Sequence, residues 1–93
     1  MTARERLWYL INGVINGSYD VRTFCDEFYR IYNFETDYTK LSEKEHFEFK
    51  NLFMIIARFS DSEKDLKIPN VYYSKEDVLN KAKQVKQNLS SNF

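Results

Sequence analysis

The sequence predicts an all-α fold, a compact four-helix bundle running mostly up and down, and three observations carry that expectation. Apolar residues recur at helical spacing over most of the chain, only 2 Gly and 1 Pro interrupt them, and no run alternates apolar with polar residues for long enough to demand a sheet. The first helix opens at Thr2, with Glu5 three places on in a capping-box pattern, and carries Leu7, Leu10, Ile11, Val14 and Ile15 on one stripe. Asn16-Gly17 ends it, because Gly17 can take the left-handed conformation that closes a helix. Asp20 caps a second helix with Phe24, Cys25, Phe28, Ile31 and Tyr32 on one face. So short a link makes the two helices antiparallel neighbours.

Asn33 to Leu41 has no apolar period and reads as a loop, with Phe34, Tyr38 and Leu41 expected to fold back on the core. Ser42 with Glu45 forms the clearest capping box in the chain and starts a third helix, expected from about Glu43 to Phe59. Its main face is Phe49, Leu52, Phe53, Ile56 and Phe59, widened by Phe47, Met54 and Ile55, so this helix is expected to be central. Ser60 to Tyr73, which contains Pro69, is a long connection for so small a bundle. Ser74 and Asp77 cap a fourth helix with Val78, Ala82, Val85 and Leu89 on its inner face, and Ser90 to Phe93 reads as a frayed tail.

The chain of 93 residues is expected to be a single domain, and 8 Phe, 7 Tyr and 1 Trp supply side chains large enough to build its core without a metal or disulfide. One Cys allows no internal disulfide. The start Met-Thr-Ala-Arg-Glu-Arg lacks a basic region followed by an apolar run, and the longest apolar stretch falls far short of the ~20 residues that span a bilayer. A cytoplasmic protein without a membrane segment is expected.

Catalysis or metal binding needs convergent groups, and the sequence offers one His and one Cys. His46, in the first turn of the third helix, reads as solvent-facing or as a shield for Phe49, and Cys25, on an apolar stripe, reads as a small hydrophobe. Asp61, Glu63 and Asp65 alternate as in a calcium loop, but Leu66 stands where that loop needs Gly and Tyr72 where it needs a bidentate Glu. The expectation is a non-enzyme with no cofactor and no metal.

Fourteen basic and fourteen acidic residues balance, which argues against a general nucleic-acid or polybasic membrane binder. The balance is uneven along the chain: residues 20–48 hold eight acidic side chains (Asp20, Asp26, Glu27, Glu35, Asp37, Glu43, Glu45 and Glu48) against four basic ones. Acidic residues in a helix's first turn are favoured by the macrodipole, which accounts for Glu43, Glu45, Glu76 and Asp77 without any partner. Seven Tyr beside eight Phe exceed what so small a core can hide. Exposed Tyr next to carboxylates suits protein recognition, and the Tyr72-Tyr73 pair is the leading candidate. DNA reading by the third helix is disfavoured, since Glu43, Glu45 and Glu48 would oppose phosphates.

Read in order, Asn16-Gly17, the segment Ser18 to Phe24, Phe28 to Asn33, Leu41-Ser42-Glu43, Phe49 to Phe53, Arg58 to Asp61 and Tyr73 to Val78 form a succession spanning nearly the whole chain. It resembles the bacterial self-protective immunity proteins related to the colicin D immunity protein, a family of small helical bundles that includes contact-dependent growth inhibition immunity proteins. The resemblance implies a protein that binds and neutralises a cognate nuclease toxin, typically a tRNA-cleaving ribonuclease, its acidic side chains taking the place of RNA phosphates in the basic cleft. Carried over, the contact residues are Glu43, Glu45, Glu48 and Asp61. Where that family often has acidic residues near the end of the third helix this chain has Ile55 and Ala57, so Glu63 and Asp65, with Tyr72 and Tyr73, complete the expected toxin-binding set. The other reading is a small helical interaction or regulatory module with no toxin partner.

Overall fold

The computed structural model describes residues 1–90, and the chain is all-α. Four longer helices, α1 (Ala3–Asn16), α2 (Val21–Arg30), α3 (Glu43–Ile56) and α5 (Lys75–Ser90), are joined by turns and by a single-turn helix, α4 (Glu63–Leu66). Helix starts are set by local chemistry. Thr2 with Glu5 and Ser42 with Glu45 form reciprocal capping boxes, and the Asp20 carboxylate accepts from the Thr23 N–H. Ser74 and Asp77 exchange the same pair of bonds at α5. Gly17 closes α1 at φ 86°, the left-handed region where a Cβ would be strained.

Most of the predicted stripes form the core: Leu7, Leu10, Ile11 and Val14 from α1, with Ile15 only half-buried, Phe24, Cys25 and Phe28 from α2, Phe49, Leu52 and Ile56 from α3, and Val78, Ala82, Val85 and Leu89 from α5. Phe49 joins three helices. Its ring lies 5.6 Å edge-on to Trp8 and 6.1 Å edge-on to Phe28. As expected of a central helix, α3 touches several partners: it packs on α2 and α5, and Phe49 and Glu45 reach Trp8 and Arg4 of α1.

Several expectations need correction. First, α3 ends at Ile56, three residues short of Phe59, because a tight turn follows in which the Arg58 N–H bonds Ile55 and the Phe59 N–H bonds Ile56. Second, Phe47 and Met54 do not widen its buried face: they are exposed to 63% and 57%, and Phe53 and Phe59 are only half-buried. Tyr29 and Tyr32 cover one side of Phe53 and Arg22 lies over Phe59, which leaves both rings half in water.

Third, α2 continues into a π-helical turn, Ile31–Glu35. The wider turn keeps Ile31 and Tyr32 buried but rotates Phe34 out to 74% exposure, where a fold back onto the core was expected. The freed carbonyls are satisfied by side chains, Thr36 Oγ1 donating to Ile31 and the Tyr38 hydroxyl to Tyr32. Leu41 is buried as expected.

The connection after α3, long as expected, carries the short helix α4 and is tied at its ends. The Ser60 N–H bonds the Tyr73 carbonyl at 2.9 Å and the Tyr73 N–H bonds the Arg58 carbonyl at 2.8 Å, an isolated parallel bridge that draws its two ends together. Asn70, after Pro69, takes φ 62° and turns the chain back. Ser90, expected to begin a tail, is instead the last residue of α5, and the rest of that expected tail lies outside the described residues.

One position in α1 carries a close approach invisible to pattern. A Cβ on Gly13 would sit 2.2 Å from the Tyr19 ring, which packs over the helix backbone there and meets Tyr9 edge-on at 6.1 Å. Gly13→Ala should gain about 1 kcal/mol in helix propensity yet lose about 1–3 kcal/mol in overpacking, a net destabilisation in chemical denaturation. In a Tyr19→Ala background the same substitution should stabilise. A gain from Gly13→Ala in the native background would mean that Tyr19 does not occupy this site.

Candidate functional site

The eight expected contact residues do not form one patch. Ser42 places Glu45 three residues into α3, on the stripe that continues through Phe49, Leu52 and Ile56, so its carboxylate enters the interior. There Oε1 accepts from the Ser42 N–H at 3.0 Å and from Arg4 Nε at 2.9 Å, while Oε2 accepts from Trp8 Nε1 at 2.7 Å and pairs with Arg4 Nη2 at 2.8 Å. Burial pushes the Glu45 carboxyl up, but the bonds from Arg4, Ser42 and Trp8 and the Arg4 charge outweigh it and bring it down to about 2. Glu48 is also buried and accepts from Asn88 Nδ2 at 3.0 Å, linking α3 to α5. Both carboxylates are buried clamps between helices, where exposed positions were expected.

Glu43 is exposed at the start of α3, whose 14 residues make it about 21 Å long, and Asp61 follows its far end. Helix length therefore separates Glu43 from the other candidates. Those lie together on the connection. Asp61 forms a bidentate pair with Arg22 of α2, at 3.0 Å from Nε and 2.8 Å from Nη2, and the same guanidinium lies 5.3 Å over the Phe59 ring. The Arg22 hydrogen bond holds the Asp61 carboxyl below the usual range. Asp65 accepts from Ser60 Oγ at 2.9 Å, and Ser60 Oγ in turn accepts from the Ser62 N–H. Glu63, Tyr72 and Tyr73 are exposed on the same segment. A shallow hollow of about 420 Å³ beside them is lined by Ile55, Tyr73, Asp77, Asn80, Lys81 and Gln84.

The residues expected to be chemically idle are placed as follows. Burial first, and the Asp26 charge second, push the Cys25 thiol up to about 12, so thiolate is scarce at neutral pH. His46 packs edge-on against Tyr38 at 5.3 Å between ring centres. Among the described residues no three His, Cys, Asp or Glu side chains lie close enough to hold a metal ion, and no helix is long and apolar enough to cross a membrane.

Sequence reasoning missed Arg4, Trp8 and Arg22, the partners that fix Glu45 and Asp61. A signal for Glu45 was present in its spacing, since a carboxylate four residues before Phe49 falls on the core stripe. No family model matches this chain, and no curated protein or solved structure is significantly similar to it.

Proposed function

We propose that this chain is a non-enzymatic immunity protein that acts in the cytoplasm, binding a cognate bacterial nuclease toxin, of the tRNA-cleaving class, and occluding its basic active site. In this reading α1, α2, α3 and α5 form a mostly up-down bundle whose contact surface is the connection carrying α4. The supporting observation is that Asp61, Glu63, Asp65, Tyr72 and Tyr73 lie on one segment whose ends are tied by the bridge between Phe59 and Tyr73. A tethered segment loses less entropy on binding, Tyr supplies contact area, and carboxylates match a cleft built to hold phosphates. Glu45 and Glu48 hold the scaffold.

The test uses the nuclease domain encoded by the reading frame immediately upstream. Glu63→Lys should weaken its binding by at least about tenfold and flatten the salt dependence of the association rate. Asp61→Lys should do the same, with melting measured alongside because it also breaks the Arg22 pair. Lys83→Glu, on α5, should change binding little, whereas Lys81 lines the Tyr73 hollow and is unsuited as a control. Normal binding by both acidic variants would overturn the contact surface. An upstream product that is not bound at micromolar concentration, and from which the chain gives cells no protection, would favour an interaction module without a toxin partner.

A further inference from the structure

The outward edge of α3 carries a pattern that the immunity reading leaves unused. Positions 43, 47, 50, 54 and 58 follow one another at intervals of three or four and so share one stripe, opposite the buried line of Glu45, Phe49, Leu52 and Ile56. Arg58 extends this stripe because the turn after α3 keeps its N–H bonded to Ile55 at 3.0 Å. Phe47 and Met54, one apolar side chain in each half of the stripe, are exposed to 63% and 57% and stand about 10 Å apart along the axis. Glu43 marks one end and Arg58 the other. Neither forms an ion pair with the described residues.

Reversed, this stripe is its own complement. When a second α3 lies antiparallel across a two-fold axis passing between positions 50 and 51, Phe47 faces Met54 of the second copy and Glu43 faces Arg58 of the second copy, and both pairs recur on the other side of the axis. Helices packed about 8–10 Å apart place thioether against aromatic ring and carboxylate against guanidinium. The exposed Tyr29 ring, stacked on Phe53 at 5.0 Å, broadens the apolar surface on one flank. Lys50 lies beside the axis, where its flexible stem lets the ammonium reach sideways into water.

We infer that the outward stripe of α3 is the isologous interface of a homodimer, with a second copy of this chain as its occupant. The inference does not depend on the immunity reading. One helix face with modest flanks falls near the lower end of specific interfaces, which sets the expected dissociation constant in the micromolar range.

Sedimentation velocity of the full chain from about 1 µM to about 1 mM tests it. The native chain should pass from monomer to dimer. Glu43→Arg and Arg58→Glu, each placing like charges at both ends, should separately weaken the dimer by at least about tenfold. An equimolar mixture of the two should form a heterodimer, because one chain then carries only basic ends and the other only acidic ends. The double exchange Glu43→Arg with Arg58→Glu should restore the homodimer. Met54→Lys, at a site already in water, should abolish the dimer without lowering the melting temperature. A native chain that stays monomeric throughout, a mixture no more associated than its components, or a dimer that survives Met54→Lys would each overturn the inference.

Discussion

Phe49→Ala is expected to lower the unfolding free energy by about 3–5 kcal/mol, the loss typical of removing a fully buried aromatic ring and leaving a cavity. Phe49 has no exposed surface and meets Trp8 of α1 and Phe28 of α2, so its removal leaves both rings without an edge contact. For a domain of this size, whose total stability is on the order of 5–15 kcal/mol, the melting temperature should fall by at least about 12 °C. Phe53→Ala gives the comparison. Phe53 is half-buried between Tyr29 and Tyr32, so the same truncation should cost only about 1–2 kcal/mol. Equal losses from the two variants would mean that the buried edge of α3 is misplaced by one helical position.

Glu45→Gln is expected to cost about 2–3 kcal/mol at neutral pH, because one oxygen cannot serve Arg4, Trp8 and the Ser42 N–H, and the amide turns a donor toward donors. Arg4 is half-exposed, so water recovers part of its share, which keeps the loss below that of a fully buried ion pair. The effect also has a direction in pH. The Glu45 carboxyl titrates at about 2 in the folded chain against an ordinary 4.5, so the folded state holds this proton less readily than the unfolded one. Its contribution is therefore complete above about pH 4.5 and lost as pH falls toward 2. Unfolding free energies of the native chain and Glu45→Gln, measured by urea titration at several pH values, should differ most above pH 4.5 and converge below it. Glu5, Asp20, Asp37 and Asp61, also held below the carboxylate range, titrate in both proteins and cancel from the difference. A gap that stays constant down to pH 2 would show that the Glu45 charge is not what Arg4 and Trp8 hold.

These two residues mark how far a sequence reading reaches. Phe49 was legible because it shares a stripe with Leu52 and Ile56, and periodicity of that kind records which side of a helix must leave water. Glu45 was legible only as the partner of Ser42, three residues away. Its other bonds come from Arg4 and Trp8, separated from it by 41 and 37 residues, and Glu48 is held by Asn88, 40 residues on. Nothing in the local pattern distinguishes a carboxylate that caps a helix and faces water from one that caps it and faces another helix.

Determined by the sequence alone are the all-α class, the starts of α1, α2, α3 and α5, the close of α1 at Gly17 and most of the core, each fixed by chemistry within four or five residues along the chain. Decided only by the tertiary structure are the turning of Phe34, Phe47 and Met54 toward water, the withdrawal of Glu45 and Glu48 from the surface, and the tying of the connection by the bridge at Tyr73. An α3 apolar over much of its circumference has several faces able to be buried, and the contacts of α1, α2 and α5 select among them. That selection depends on which side chains from distant segments arrive at each face, and helical periodicity carries no information about them.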